Sequence, residues 1–330
     1  MKHTKLLAAV AAGILVALSL SACGAGESNT AGGGGSAGGD QPSIAFIQGV
    51  AGDEFYISMK CGVESEGAKL GAKVTVQGPD KFDPSLQRPI VDSVVASKPD
   101  AILVAPTDVS AMQAPLKAAA DQGIKIVLVD TTLKDPSIAV SSVASDNVGG
   151  GAEAFKALQT LAPQGGKILA ISTDPGVSTV DQRIQGFSDA AKADPKFSYL
   201  GVQYSHNEPA TAAQIITAAL QKDPDIVGVF AANTFSAQGT ATGLRQAGKE
   251  DQVKVVGFDA GPAQVTQLKE GTVQALIAQQ PEVIGVDGVQ QAMNAIQGKP
   301  VEKIIQTDSA MITADNVETD GAKYTYKSSC

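Results

Sequence analysis

The chain contains no tryptophan, three cysteines and two histidines among its 330 residues. Three cysteines are too few for a disulfide-dense scaffold or a zinc ribbon, and two histidines leave little room for a histidine metal cluster. The net charge of −9 argues against a nucleic-acid-binding protein, which would need a basic face. With 43% hydrophobic residues, the chain is instead long and apolar enough for about two packed domains.

Residues 1–22 are predicted to be a secretory signal peptide. Lys2 and Lys5 precede an apolar run, 6–20, that is shorter than the ~20 residues needed to span a bilayer. The run ends in Leu-Ser-Ala-Cys23, which resembles the lipobox of bacterial lipoproteins, where the cysteine is lipidated and becomes the first mature residue. Cys23 is therefore the predicted lipid-attachment site, with palmitate as an expected acyl group; an uncleaved signal anchor is the alternative.

Residues 23–42 are rich in glycine, serine and alanine and show no apolar periodicity. Such a segment is typical of a flexible tether between a lipid anchor and a folded body. Its glycine run is not predicted to be a phosphate-binding loop, because no strand precedes it and no helix follows it. The folded body is predicted to begin at about residue 43.

The body alternates short β-rich runs with helical stretches. Most of the runs are almost continuously apolar, which is the pattern of parallel strands covered by helices on both faces. The predicted strands are 43–47, 73–77, 101–105, 125–129, 167–172, 199–204, 226–230, 254–257 and 273–278. The clearest predicted helices are 57–70, 116–122, 212–220 and 283–296, and the glycines that stop helices are Gly71, Gly123, Gly248 and Gly298. The pattern predicts an α/β fold.

An internal repetition indicates two lobes of similar design. The segment that begins at Asp100 runs through a strand, a helix and a second strand to Asp130, and the segment from Asp225 runs in the same way to Asp259. Open α/β sheets bind ligands at the carboxyl ends of their strands. Asp130 and Asp259 are therefore predicted to line a cleft from opposite walls; capping of the following helix or turn is the alternative.

Six short motifs carry a resemblance to a known family. They are Ile44-Ala-Phe with Phe55-Tyr56, Ala144-Ser-Asp-Asn147, Arg183-Ile-Gln-Gly-Phe187, Val229-Phe-Ala-Ala-Asn233, Val256-Gly-Phe-Asp259 and Ile277-Ala-Gln279. Each motif is weak alone. Together, in this order and at this spacing, they resemble the sugar-binding lipoproteins of ABC importers in the ribose-binding group of the periplasmic-binding-protein-like I family. The resemblance extends from residue 43 to about residue 312.

The resemblance implies an α/β fold of two Rossmann-like lobes joined by a three-crossing hinge, with the ligand cleft between the lobes. The crossings are expected near 145–148, 279–281 and 307. The N-terminal lobe would then comprise 43–147 plus 281–306, and the C-terminal lobe 148–280 plus 307–330. Ligand binding is expected to close the lobes by hinge bending.

A residue-by-residue match to the family implies a set of polar ligand-binding side chains: Asp53, Asp130, Asn147, Arg183, Asn233, Asp259 and Gln279. Carboxylates accept hydroxyl hydrogens, amides donate and accept, and a guanidinium donates a rigid fork, so the set suits a neutral polyhydroxyl ligand. Phe55 and Tyr56 match the family's aromatic pair and would pack on the apolar face of a sugar ring. Phe258 is a weaker candidate, and ordinary core packing is the alternative for all three aromatic residues.

Four departures from the family pattern limit what the resemblance implies about the ligand. Thr131 follows Asp130 where ribose-type members often carry arginine, and Asn207 stands where an aromatic residue often lies. Gly49 replaces a small polar residue, and Glu54 replaces a frequent proline. Gly49, Thr131 and Asn207 are therefore weaker candidates for ligand contact. The expected ligand is a pentose, hexose or sugar alcohol other than ribose.

Two cysteines remain when Cys23 is lipidated. Cys61 lies on the first predicted helix, and Cys330 is at the far end of the sequence. In an oxidising compartment an even number of thiols favours a disulfide, which would fasten the C-terminal tail to the N-terminal lobe. Two free thiols are the alternative.

The resulting hypothesis is a monomeric solute-binding protein, anchored by lipid outside the bacterial cell membrane. It has no metal, cofactor or catalytic residues and delivers a sugar or polyol to the permease and ATPase of an ABC importer. A sugar-sensing receptor for a transmembrane sensor would use the same site. A surface glycoside hydrolase would need paired carboxylates such as Asp130 and Asp259, but the chain lacks a Ser–His–Asp order and the H-E-x-x-H and G-x-S-x-G motifs. Nucleic acid is not an expected partner.

Overall fold

The computed structural model describes residues 41–330. The predicted signal peptide, the predicted lipidation site Cys23 and nearly all of the predicted tether lie outside this range. Within it, no helix has both the length and the apolar composition needed to cross a membrane.

Strands and helices alternate along most of the described chain. The strands are β1 Ser43–Ile47, β2 Lys73–Gln77, β3 Ala101–Val104, β4 Lys125–Val129, β5 Ser141–Ser145, β6 Gly166–Ser172, β7 Phe197–Tyr204, β8 Ile226–Ala231, β9 Lys254–Phe258, β10 Ala275–Ala278, β11 Ile304–Thr307 and β12 Ala310–Ile312. The α-helices are α1 Glu54–Lys69, α2 Pro84–Ala96, α3 Gln113–Asp121, α4 Asn147–Leu161, α5 Ser178–Ala193, α6 Pro209–Lys222, α7 Thr234–Ala247, α8 Pro262–Glu270 and α9 Pro281–Ile296. All nine predicted strands and all four predicted helices are present.

The strands form two six-stranded sheets, one in each of two lobes. The first sheet has the order β2-β1-β3-β4-β5-β11, and all of its strands are parallel. The second has the order β7-β6-β8-β9-β10-β12, and it is parallel apart from β12, which runs antiparallel to β10. The chain passes from one sheet to the other after β5, after β10 and after β11. The predicted two-lobed α/β fold class is confirmed.

The strands that the sequence did not reveal are β5, β11 and β12. Serine occupies three of the five positions of β5, and its side chains alternate between buried and half-buried, so it lacks the continuous apolar run of a central strand. The other two are short edge strands, and Ile304 in β11 is 71% exposed. An edge strand is covered on fewer sides, which weakens its hydrophobic signal.

Helices α4 and α5 pack closely because glycines stand at their crossing. A Cβ atom at Gly151 would lie 2.0 Å from the carbonyl oxygen of Arg183, and one at Gly186 would lie 2.0 Å from that of Val148. Larger side chains at these positions would force the helices apart. The close approach therefore determines where α5, and with it Arg183, lies relative to the rest of the second lobe.

The C-terminal tail returns from the second lobe to the first. After β12 it packs along the second lobe, where the Tyr326 amide donates to the carbonyl of Ala260. The next residue, Lys327, donates its amide to the Ser58 hydroxyl on α1. The chain ends with Cys330 in a disulfide with Cys61, which is also on α1.

Candidate functional site

A cavity of about 40 Å³ lies between the two lobes. The first lobe lines it with Asp53, Phe55, Tyr56, Phe82 and Asp130. The second lobe lines it with Thr173, Val177, Thr179, Val180, Arg183, Asn207, Asn233 and Asp259, and Gln279 contributes from the connection between β10 and α9. Most of these residues follow the carboxyl end of a strand or stand in the first turns of the next helix, as expected for an open α/β sheet. The cavity is therefore enclosed by residues of both lobes.

Asp130 and Asp259 occupy equivalent positions in the two lobes. Each follows directly after a strand, β4 or β9, and each has a left-handed backbone, with φ of +63° and +75°. Each donates its amide to the neighbouring strand, to the carbonyl of Val143 or Ile277. Neither carboxylate caps the helix that follows, so the capping alternative is excluded for both.

The Asp259 carboxylate is held by four hydrogen bonds. Its Oδ2 accepts from the amide and the hydroxyl of Thr234, both at 3.1 Å. Its Oδ1 accepts from Gln279 Nε2 at 2.7 Å and from the Tyr326 hydroxyl at 3.0 Å. Thr234 begins α7, and Tyr326 belongs to the C-terminal tail. Three separate segments therefore orient this one side chain.

The Asp130 carboxylate accepts a hydrogen bond from the Tyr56 hydroxyl at 2.7 Å. Burial and the neighbouring negative charge raise the pKa of Tyr56 well above its usual value, so the phenol stays protonated and donates. Burial raises the pKa of Asp130 to about 6, while the positive charge of Arg183 and the Tyr56 hydrogen bond oppose the shift. Arg183 lies on the other lobe, so these groups couple the two walls of the cavity.

Arg183 is the buried cation of the site, with 3% of its surface exposed. Its Nε donates to Asn147 Oδ1 at 2.8 Å, and one terminal nitrogen donates to the carbonyl of Ala232 at 2.9 Å. The guanidinium carbon lies 3.8 Å from the centre of the Phe258 ring. These contacts hold the guanidinium plane while leaving its other terminal nitrogen for a ligand.

Asp53 caps helix α1 and has a raised pKa. It is the N-cap of α1, where its Oδ1 accepts from the Phe55 amide at 2.9 Å. Burial, and next the negative charge of Asp259, raise the pKa of Asp53 to about 8. A protonated Asp53 at neutral pH would offer the cavity a hydroxyl donor as well as an acceptor.

Three aromatic residues line the first-lobe wall. Phe55 and Tyr56 meet edge to face, with ring centres 5.1 Å apart and an angle of 84° between the planes. Phe82, in the loop before α2, completes the wall. Their apolar rings suit the C–H face of a sugar ring, while the tyrosine hydroxyl is engaged by Asp130.

Two polar contacts join the lobes close in sequence to residues that line the cavity. Lys81 Nζ and Glu208 form an ion pair at 2.7 Å, and both side chains are well exposed. The Thr132 amide of the first lobe also donates to the Ser178 hydroxyl of the second at 2.9 Å. Beside Glu208, Asn207 accepts from Asn233 Nδ2 at 2.6 Å. The lobes therefore meet around the site, and Asn207 belongs to its rim.

Four of the predicted site residues do not line the cavity. Asn147 and Phe258 lie beneath Arg183 and hold its side chain. The hydroxyl of Thr131 donates to the carbonyl of Pro106, away from the site. Gly49 leaves room for aromatic side chains, because a Cβ there would lie 2.4 Å from the Tyr56 hydroxyl. The other predicted residues all line the cavity.

Five lining residues were not predicted: Phe82, Thr173, Val177, Thr179 and Val180. Thr173 immediately follows β6, so the rule that identified Asp130 and Asp259 would have found it. The other four lie on loops or on the first turn of α5, where no strand end marks them. Their position becomes evident only when the two lobes meet.

Two buried oxygens at the site have no hydrogen-bond partner within the described residues. They are Thr173 Oγ1 and Gln279 Oε1, and both residues line the cavity. A buried acceptor without a partner costs about 1–3 kcal/mol. A ligand that carries several hydroxyl groups would donate to such acceptors.

The described part of the chain contains no group of three or more His, Cys, Asp or Glu side chains arranged to hold a metal ion. His206 is exposed, and its Nδ1 pairs with Asp174 outside the cavity lining. The cavity therefore combines carboxyl, amide, hydroxyl and guanidinium groups with aromatic rings, which is a recognition chemistry for polar, ring-shaped molecules.

Comparisons with known proteins agree with this geometry. Residues 44–300 match the family described as periplasmic binding protein domain. The chain is 32% identical over 251 residues to the ribose import binding protein RbsB of Bacillus subtilis (strain 168), covering 76% of this chain and 80% of the relative. It is 30% identical over 270 residues to the protein of the same name from Escherichia coli (strain K12), covering 82% of this chain and 90% of the relative.

Solved structures show the same architecture. An ABC transporter solute-binding protein from Agrobacterium vitis, bound with α-D-tagatopyranose, aligns with a TM-score of 0.85 at 39% identity, covering 87% of this chain and 100% of the other. A second solute-binding protein from Agrobacterium vitis, with bound D-fucose, aligns with a TM-score of 0.83 at 31% identity, covering 86% and 100%. The chain therefore belongs to the periplasmic binding protein family, in which it is a homologue of the ribose-binding proteins.

Proposed function

We propose that the protein captures one monosaccharide or sugar alcohol between its lobes, outside the cytoplasm, and delivers it to the permease and ATPase of an ABC importer. The observation that carries the proposal is the composition of the interlobe cavity. Acceptors from both lobes, one buried guanidinium and an aromatic wall line this cavity. Binding, without a chemical step, is what these groups perform.

The proposed ligand is neutral and rich in hydroxyl groups. Asp130 of the first lobe, Thr173 of the second lobe and Gln279 of the connection between β10 and α9 offer acceptors, and Arg183 of the second lobe offers donors. A ligand that bridges the lobes would favour the closed arrangement, because it has polar partners on both walls only when they meet.

The ligand is proposed to be a pentose or hexose in its ring form, or a related polyol. The names of relatives and structural neighbours mention ribose, tagatose and fucose. Thr131 turns its hydroxyl to Pro106, and Asn207 presents an amide at the rim, so the arginine and the aromatic ring frequent in ribose-type members are both missing here. We therefore expect a sugar other than ribose to bind most tightly.

The cellular context is a further part of the proposal. A signal peptide at 1–22 and a lipid on Cys23 would anchor a monomer to the outer face of the cell membrane, with 23–42 as a tether. On ligand binding, the two lobes would move as rigid units. The N-terminal lobe would comprise 43–147 plus 281–306, and the C-terminal lobe 148–280 plus 307–330. Membership of each sheet supports these limits, since β11 belongs to the first sheet and β12 to the second.

A thermal-shift panel followed by calorimetric titration tests the function. The panel contains D-tagatose, D-fucose, D-arabinose, D-allose, D-ribose and the matching sugar alcohols. At least one should raise the melting temperature and bind with one-to-one stoichiometry. Folded protein that responds to none of these compounds would count against the proposal.

Site variants connect the binding to this cavity. Arg183→Ala and Asp259→Ala should each weaken binding of the active sugar by about 2 kcal/mol or more, roughly 30-fold, because partner groups are left unpaired in a closed site. Arg88→Ala is the matched control, since the Arg88 side chain is 64% exposed on α2. Unchanged affinity in both site variants, with cooperative unfolding retained, would place the sugar elsewhere.

A further inference from the structure

The last five residues, 326–330, form a segment that we call the C-terminal strap. It begins against the second lobe, where the Tyr326 amide donates to the carbonyl of Ala260 at 2.9 Å. It ends on the first lobe, where Cys330 forms a disulfide with Cys61 of α1. Three strand-to-strand connections already join the lobes, so the strap is a fourth connection, closed by a covalent bond.

Contacts along the strap hold it to the first lobe between these ends. The Lys327 amide donates to the Ser58 hydroxyl at 2.7 Å. The Lys327 ammonium pairs with the Glu282 carboxylate at the start of α9 at 2.6 Å, with both side chains about half exposed. An exposed ion pair of this kind adds little on its own. The disulfide is therefore the covalent contact that fastens the end of the strap to the first lobe.

Tyr326 contacts residues that line the cavity but is not itself part of the lining. Only 6% of its surface is exposed. Its hydroxyl donates to Asp259 Oδ1 at 3.0 Å and accepts from the Gln279 amide at 3.1 Å. Its ring lies edge-on to Phe55, with ring centres 5.8 Å apart. One side chain thus contacts three cavity residues, from both lobes.

We propose that Tyr326 is a positioning residue of the binding site, and that the Cys61–Cys330 disulfide keeps it there. The tyrosine orients the Asp259 carboxylate and fixes the backbone at Gln279. Both act on the ligand directly, whereas Tyr326 acts through them. For its effect on affinity this inference rests on the proposed function.

Tyr326 positions these residues because its hydroxyl is a hydrogen-bond partner of two buried groups. Without the Tyr326 hydroxyl, the buried Gln279 amide loses its acceptor and Asp259 Oδ1 keeps a single donor, the Gln279 side chain. Burial and the Asp259 charge raise the pKa of Tyr326 well above its usual value, so the phenol remains a donor at every physiological pH. An ionised phenol could not make this bond to a carboxylate.

Amide hydrogen exchange tests the positioning without any ligand. Measured by NMR in the intact protein, exchange at the Gln279 amide should accelerate by about tenfold or more in Tyr326→Phe, which keeps the ring against Phe55 but has no hydroxyl. Reduction of the wild-type disulfide should have a similar effect. The amide of Leu103, in the centre of the first sheet, should exchange at an unchanged rate and so exclude general destabilisation. An unchanged rate at Gln279 overturns the proposal.

Calorimetric titration with D-tagatose, or with whichever panel sugar shifts the wild-type melting temperature most, measures the consequence for binding. Tyr326→Phe should weaken binding about tenfold. Tyr324→Phe, the control variant, changes a nearby tyrosine of the same tail and should leave the affinity unchanged. Reductant should weaken binding by the wild-type protein and have no further effect on Tyr326→Phe or on Cys61→Ser/Cys330→Ser.

The two failures are distinguishable. If the wild-type protein binds a sugar and Tyr326→Phe binds it equally well, the strap proposal is wrong and the proposed function stands. If no sugar binds the wild-type protein, the proposed function is wrong, and exchange at the Gln279 amide alone decides whether Tyr326 holds this backbone. A merely structural tail would change the melting temperature while leaving the affinity of the folded protein unaltered.

Discussion

Asp53 shows how a single residue joins the fold to the chemistry of the site. Its Oδ1 caps α1, and its carboxyl lines the cavity among other acidic groups. Burial raises the pKa of Asp53 to about 8, and the charges of Asp259, Glu54 and Asp130 add to the shift. The same residue in water would remain ionised down to about pH 4.

This shift predicts a pH dependence of stability. The folded protein keeps a proton on Asp53 up to about pH 8, whereas the unfolded chain releases it near the ordinary value of 3.8. The stabilisation is therefore fully present below pH 4 and is lost as the pH rises toward 8, by up to about 1.4 kcal/mol per pH unit. Asp53→Asn keeps a helix cap and should flatten the decline between pH 6 and 8 in urea unfolding of ligand-free protein.

Asp83→Asn is the control for that measurement. Asp83 caps α2 in the same way, accepting from the amide of Ser85, but its hydrogen bonds lower its pKa. It stays ionised in both the folded and the unfolded protein between pH 6 and 8, so the slope should not change. An equal slope in the wild-type protein and Asp53→Asn would show that Asp53 does not titrate in this window.

At the scale of secondary structure, the position of Arg183 depends on how closely two helices approach. Gly151 and Gly186 allow the backbones of α4 and α5 to touch. Asn147, at the first turn of α4, then reaches the Arg183 side chain on α5. The glycines are thus part of the construction of the site although they lie outside it.

Gly151→Ala should destabilise the protein by about 1–3 kcal/mol, because its methyl group would overlap the carbonyl of Arg183. Binding of the active sugar should weaken as well, since α5 must shift. Chemical unfolding and titration measure the two effects. Gly52→Ala is the stability control, because a Cβ at Gly52 meets nothing within 4 Å. A Gly151→Ala protein as stable as Gly52→Ala would refute this account of the helix crossing.

Much of the element pattern could be predicted from sequence. Central strands such as β3 and β4 are continuous apolar runs, and glycines such as Gly248 and Gly298 follow helices with positive φ. The serine-rich β5 and the short edge strands β11 and β12 could not be predicted, because their pairing depends on neighbours that are remote in sequence.

The whole molecule is two lobes joined by three connections and closed by a disulfide between residues 269 positions apart. In a chain-entropy view, such a link stabilises the native state by restricting the unfolded chain, and more so for a long loop. The sequence predicts that Cys61 and Cys330 pair, with free thiols as the alternative. In the structure they are bonded.

Cys61→Ser/Cys330→Ser should lower the free energy of unfolding by about 2–4 kcal/mol. Urea unfolding of the oxidised wild-type protein and the double variant measures the difference. Reductant should lower the wild-type midpoint toward that of the variant and leave the variant unaltered. Coincident unfolding curves under oxidising conditions would contradict the prediction.

By itself, the sequence determined the α/β class, the central strands and the candidate residues at strand ends, Asp130 and Asp259. These are local signals: apolar runs, helix stops and polar residues that follow a strand. Only the tertiary structure separated the residues that line the cavity from Asn147 and Phe258, which support it. It also brought Phe82 and Tyr326 to the site, because contact across the lobes depends on how distant segments pack, and no local pattern records that.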